Sequence, residues 1–337
     1  MKARQGDLKK GGGVLRERVA VRYAWIHQSR DVYPVARSCS VLGVARSGYY
    51  GWQRRQQRPS QRTVENAQLL VELQARHGRH RQCYGSPRMT ADLQAAGWGV
   101  NRKRVARLMR AAGIRARGRR RVRCTTDSRH TWPIAPNWVA QQFTATAPNQ
   151  LWVSDITYVA TDEGWLYVAL VMDLFSRKWV GWALEAFVDC RLTVAALRMA
   201  LGWRQPDPTL VHHSDRGVQY AAADYRAVLA VRGITLSMSR KGNCSDHAPM
   251  ESANGTLKTE RVYPQRYQTR AQAKADLIAY IGYYNTERRH SALGYRSPAE
   301  FERHWWTQQR TADTSTTAKR GDTEIRTDDR SPVVGQI

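Results

Sequence analysis

Between Leu151 and Ser239 the chain passes through LWVSDITYVA, WLYVALVMDLF and RKWVGWALE, then RLTVAALRMALG, TLVHHSD, QYAAADYRAVLAVRG and ITLSMS. The first three runs are apolar and strand-like, with TDEG as a turn between the first two, so residues 151–185 predict a three-stranded meander. The remaining four predict helix, strand, helix and strand. Strands first, then alternating helices and strands, specify a mixed α/β layer with helices packed on a five-stranded sheet.

That pattern accounts for only part of 337 residues. A chain of this length exceeds the size at which one core stops growing, so further domains are expected. Charge divides the chain: residues 1–130 hold 30 Lys+Arg against 7 Asp+Glu, and the remainder 24 against 21. A basic front half of this kind holds a polyanion. Within it, Val35, Cys39 and Leu42 share a helical face, Gly43 breaks the helix and a second short helix follows, so residues 1–62 form a helical region compatible with a helix-turn-helix or a plain helical hairpin.

In 63–125, Met89 and Leu93 mark one short helix, Gly97 and Gly99 punctuate it, and Asn101 is placed to cap the next. That helix, RKRVARLMRAA, sets Val105, Leu108, Met109 and Ala112 on one side. Arg102, Lys103, Arg104, Arg107 and Arg110 supply five cations in ten residues without a compensating acid. A solvated face is the ordinary reading of a charged stripe, but such an excess favours phosphate contact. RARGRRRVR follows, where Arg119, Arg120 and Arg121 belong to a basic linker expected to track a nucleic-acid backbone and order on binding.

The five cysteines are scattered, with no CxxC pair and no recognisable secretory leader before them, which points to a reduced, cytoplasmic compartment. No run approaches the eighteen apolar residues of a membrane span. His77, His80 and Cys83, with Cys124 distant, make a weak zinc pattern, since structural sites bring ligands in two close pairs; solvated loop histidines are the simpler reading. Residues 306–337 are polar and Thr-rich, and disorder is expected there.

Three acids stand out against this cationic background. Asp155 lies within the first strand, Asp215 at the end of the fourth, and Glu251 just after Pro249, a residue favoured in a helix's first turn. Brought together, three carboxylates repel and their pKa values rise unless cations neutralise them. Hard divalent cations do so, and Mg²⁺ is held by one or two carboxylates plus substrate phosphate oxygens. An acid thus belongs beside a phosphate when metal stands between, and two ions about 3.5–4 Å apart would serve an in-line displacement at phosphorus. The residues alone leave Asp173 and Asp246 open as alternatives, because a one-residue slip in the hairpin reverses which face Asp173 occupies.

SDITY at 154–158, HSDRGVQY at 213–220 and GNCSDHAPMESANGTLKTE at 242–260 resemble the signature blocks of integrase-like transposases of bacterial insertion sequences, specifically the B-frame product of the insertion-sequence-three family. Thirty-five residues separate Asp215 from Glu251, the spacing that names this catalytic set and is shared with retroviral integrases. RSGYYGW at 46–52, YGSPRM at 84–89, FTATAPNQLWVSDITY at 143–158 and YYNTERRHSALGYRSPAEF at 283–301 resemble further landmarks in the family's order.

The resemblance implies an RNase H-like catalytic core at 138–305, with Asp155, Asp215 and Glu251 as catalytic metal ligands. It implies two Mg²⁺ ions per site, with Mn²⁺ able to substitute, and Lys258 against the element's end. Duplex DNA is the implied substrate, as element ends and as target. A homo-oligomer in the synaptic complex and a bacterial, nucleoid-associated location follow. DLKK at 7–10 resembles the junction at which the family's A frame joins the B frame, so the A-frame product or a fusion with it is an expected partner. Two departures stand out: His247 where the family tends to have Asn, and Ala253-Asn254 where aromatics are frequent. The alternative is a catalytically inactive DNA-binding regulator of the element, against which the presence of all three acids argues.

Overall fold

The computed structural model describes residues 14–118, 133–240 and 244–324. Arg119, Arg120, Arg121, the DLKK run and Cys124 lie outside the described residues. The chain divides into two compact units, Met1–Ala75 and Arg76–Ile337.

In the first unit, helices α1 (Val19–Gln28), α2 (Val35–Val41) and α3 (Arg46–Gln57) enclose a small core of Tyr23, Ile26, Cys39, Leu42 and Tyr49. Gly43 takes φ +61° directly after α2, the left-handed conformation that a glycine adopts without strain and that ends the helix where expected. Helix α4 (Gln61–Arg79) follows, and the division between the units falls within it rather than at the 62/63 boundary expected from the sequence.

After the last turn of α4, the second unit continues with α5 (Ser86–Ala95) and α6 (Arg102–Ala111). Asn101 caps α6 as expected, its side chain accepting from the Arg104 amide at 2.9 Å. Val105 and Met109 are buried, while Arg102, Lys103, Arg107 and Arg110 are exposed and Arg104 is half-buried. His80 is neither a metal ligand nor a solvated loop residue. It is buried, with Nε2 3.1 Å from the Asp92 carboxylate and Nδ1 3.0 Å from the Tyr283 hydroxyl. Asp92 also accepts from Arg76 at 2.6 Å and from Arg289 at 2.8 Å.

The sheet comprises β1 (Leu151–Thr161), β2 (Gly164–Asp173), β3 (Trp179–Glu185), β4 (Val211–Ser214) and β5 (Thr235–Met238), in spatial order β3-β2-β1-β4-β5. β1, β2 and β3 pair antiparallel, as a meander must, and β1-β4 and β4-β5 pair parallel. Helix α7 (Cys190–Arg204) supplies the crossover to β4, as parallel pairing requires. Gly181 lets α7 approach β3: a Cβ there would collide with the Ala196 carbonyl. The single helix expected over 219–233 is two, α8 (Val218–Ala221) and α9 (Ala223–Val231), because Ala222 is extended at φ −57°, ψ 145°.

Alternation along β1 buries both faces. Leu151, Val153 and Val159 pack toward α10 (Ala248–Leu257) and α11 (Arg270–Thr286), and Trp152 and Ile156 pack toward α7 and α9. The last helix, α12 (Pro298–Glu324), corrects the expected disorder from 306, since it continues through that stretch to Glu324. Its first turns are fixed by packing, with Phe301 5.2 Å from Phe175 between ring centroids and Glu302 buried. Once nucleated, each further helical residue gains a hydrogen bond at small cost.

Candidate active site

Parallel pairing of β1 with β4 sets Ser154 opposite Ser214, so the next residue on each strand is an acid, Asp155 and Asp215. Both project at the carboxyl end of their strand pair, the edge at which open α/β sheets bind ligands. Asp155 Oδ1 accepts from the Ile156 amide at 2.9 Å, and its Oδ2 accepts from Asn254 Nδ2 at 2.7 Å. Asp215 Oδ1 accepts from the Gly217 amide at 2.9 Å, a turn in which the carboxylate folds back over the chain. A Cβ on Gly217 would stand 3.0 Å from that oxygen, which explains the glycine in DRG. Arg216 is drawn aside, its Nε donating to the Ser239 carbonyl. Burial pushes the Asp155 carboxyl up to about 6; His247 opposes the shift and Asp215 adds to it.

The two other acids left open by the sequence have different surroundings. Asp173 is fully buried and accepts from the Asn149 amide at 2.7 Å, the Ser176 amide at 2.9 Å and the Ser176 hydroxyl at 3.0 Å. Asp246, also fully buried, accepts a bidentate pair from Arg240 at 2.9 Å and further bonds from Asn137 and Gln141 at 3.0 Å. Both carboxylates are saturated as loop anchors. The two histidines preceding Asp215 are likewise structural. His212 meets the Ser154 and Tyr225 hydroxyls at 2.8 and 3.1 Å, and His213 meets Ser237 and Ser239. Burial holds their pKa down to about 3 and about 4, so both are neutral and neither is poised as a base near pH 7.

Glu251 stands in the first turn of α10 and is exposed. Asn254, which bonds Asp155, lies three residues on, a helical neighbour of Glu251 on the same face. The convergence expected of all three acids is only partial, since among the described residues no three His, Cys, Asp or Glu side chains gather closely enough to hold an ion. Lys258 places its ammonium 4.5 Å from the centre of the Tyr158 ring. One neighbour was missed by the expectation of three acids alone: His247, buried, with Nε2 3.9 Å from Asp155 Oδ1 and no hydrogen-bond partner on either ring nitrogen. The signal for it was its departure from the family pattern.

Two models described as "Integrase core domain" match residues 145–244 and 232–298, and one described as "HTH-like domain" matches 64–122. "Transposase InsF for insertion sequence IS3A" of Escherichia coli (strain K12) is 40% identical over 284 residues, covering 84% of this chain and 98% of that protein. The chain belongs to the insertion-sequence-three family of transposases. A second relative, "Insertion element IS600 uncharacterized 31 kDa protein" of Shigella sonnei, is 47% identical to the transposase over 264 residues, 78% of this chain and 96% of that one. Among solved structures, the HTLV-2 integrase catalytic core domain in complex with magnesium matches with a TM-score of 0.39 and 14% identity, over 47% of this chain and 99% of that one. The transposase thus joins an integrase core to an HTH-like domain, and its function is DNA transposition.

Proposed function

We propose that Asp155, Asp215 and Glu251 are the catalytic acids of this transposase and that they hold two divalent cations, Mg²⁺ or Mn²⁺. The observation that carries the reading is the pairing of β1 with β4, which sets Asp155, within β1, beside Asp215, just past the end of β4, with Asn254 of the Glu251 helix bonded to the first of them. The donors fit: all are hard oxygens, and a buried carboxyl whose pKa is already raised beside a second acid is one that a cation would stabilise. Bound there, the ions would activate the attacking oxygen and stabilise the leaving one.

The protein's own contribution is positional. Asn254 and the Ile156 amide fix both oxygens of Asp155, the Gly217 amide fixes Asp215, and Glu251 brings a third donor from the solvent side. Water attacks at the element's end, leaving a 3′-OH, and that hydroxyl then attacks a target phosphodiester with no covalent enzyme intermediate. Arg102, Lys103, Arg104, Arg107 and Arg110 of α6, with Arg119, Arg120 and Arg121 beyond it, grip the duplex backbone, and Lys258 lies toward the element's end. The transposase works as a homo-oligomer in the bacterial cytoplasm, with the A-frame product or a fusion with it as a partner, the role that DLKK suggests.

The test is strand cleavage of a labelled element end in Mg²⁺ by the wild type and by Asp155→Asn, Asp215→Asn and Glu251→Gln. Loss of cleavage in all three, with duplex binding retained, is expected. Persistence in any one removes that residue from the catalytic set.

A further inference from the structure

His247 is 7% exposed, yet neither ring nitrogen has a hydrogen-bond partner. A buried polar group left in this way is destabilising, so its retention needs a reason. Capping is not one: His247 occupies the N-cap position of α10, but its side chain caps nothing. Neighbouring polar groups do not satisfy it either. The His213 ring lies 5.9 Å away between centroids, and its Nε2 already faces the Ser239 hydroxyl and the Asp246 carbonyl at 3.2 and 3.0 Å. The Asp246 carboxylate is taken by Arg240, Asn137 and Gln141.

What His247 faces is Asp155 Oδ1, at 3.9 Å from Nε2. That is too long for a hydrogen bond, which needs roughly 2.7–3.2 Å. With bonds of about 2.1 Å, two donor atoms of one ion lie roughly 3 Å apart at right angles and roughly 4.2 Å apart when opposite; the observed 3.9 Å falls between the two, close enough for one ion to draw both donors in with a small shift. Asn254 reinforces the arrangement by holding Oδ2 at 2.7 Å, which turns Oδ1 toward the imidazole. The two departures from the family pattern, at 247 and 254, therefore meet at one carboxylate.

We infer that His247 is a nitrogen donor to the divalent ion of the catalytic site, and that this donor biases the transposase toward Mn²⁺ over Mg²⁺. The inference rests on the reading of Asp155 as a metal ligand. An imidazole nitrogen suits transition metals, whereas Mg²⁺ takes oxygen. Asn at the same position would offer an amide oxygen in its place.

The experiment titrates Mn²⁺ alone into the full chain carrying no histidine tag. Bound ion is quantified by paramagnetic resonance, and directly coordinated nitrogen is read from the ¹⁴N modulation of its echo. Wild type should show nitrogen coupling that becomes ¹⁵N-like on labelling with [¹⁵N]histidine. His247→Asn should lose the coupling and bind Mn²⁺ at least about tenfold more weakly, with Mg²⁺ competition changed far less; His247→Gln is the second variant should the first not fold. Asp155→Asn should lose Mn²⁺ binding. Wild-type Mn²⁺ that depends on Asp155 but shows no nitrogen coupling, or coupling that survives in His247→Asn, overturns the His247 assignment and leaves the carboxylate site standing. Binding unaffected by Asp155→Asn overturns both.

Discussion

Asp155 illustrates how a proposed site residue opposes the stability of its own fold. Its carboxyl, raised to about 6 by burial, is charged at neutral pH in surroundings that resist the charge. For a folded-state pKa above the unfolded value near 3.9, the associated stability is complete below that value and is lost as pH rises through 6. Asp155→Asn should therefore stabilise the protein when metal is chelated. About 1–3 kcal/mol is expected above pH 6, from roughly 1.4 kcal/mol per pKa unit, shrinking toward nothing near pH 4. Thermal denaturation of both proteins across this range in EDTA checks it, and a lower melting temperature for the variant at pH 7 would contradict it. At this scale the sequence was legible for strand positions but not for choosing among acids. Asp155, Asp173, Asp215 and Asp246 look alike as letters, and what separates them is hydrogen-bond saturation by Ser176, Arg240 and the Asn149 amide, partners supplied by folding.

Elements were more readable. The meander and the following alternation matched because β1 and β2 are long apolar runs buried on both faces, continuously over residues 151–154 and 168–173, and Asn101 and Gly43 marked helix ends by local chemistry that needs no distant partner. The interruption at Ala222 and the run of α12 to Glu324 were not readable, since an alanine has no breaking signal and a polar helix carries no apolar stripe. Helix α6 is the element whose function most needs testing. Val105 and Met109 anchor it inward, leaving Arg107 and Arg110 exposed with Arg104 half-buried. Replacing Arg104, Arg107 and Arg110 with Gln should weaken duplex binding across sequences and reduce the slope of log K against log salt by about 0.9 for each phosphate that the helix no longer neutralises. Filter binding or anisotropy at several salt concentrations measures this; an unchanged slope would mean the cations are merely solvated.

At the scale of the whole second unit, Asp92 is a hub that no sequence pattern announced, because its partners lie both near and about two hundred positions away. Arg76, His80 and Arg289 converge on its two oxygens, the Arg289 amide donates to the Tyr84 hydroxyl at 2.7 Å, and His80 stacks on Tyr84 at 4.0 Å. The start of the basic segment is thereby tied to the end of α11. Burial alone would raise the Asp92 carboxyl, but bonds from His80, Arg289 and Arg76 outweigh it and hold the pKa well below the usual range. Glu260 follows the same pattern with Arg288, and Glu302 with Arg204. For such groups the sign is the reverse of Asp155: their stability is present above the unfolded pKa near 4 and is lost as pH falls through and below it. Asp92→Ala leaves Arg76 and Arg289 without their buried counter-charge, which costs about 3–5 kcal/mol where a buried ion pair is broken. Urea denaturation at pH 7 should show a loss of that size. The gap between wild type and variant should narrow as pH falls below 4, because wild type surrenders the same interaction to protons. A gap that is constant with pH would mean that packing around Tyr84, not the charge on Asp92, joins the two segments.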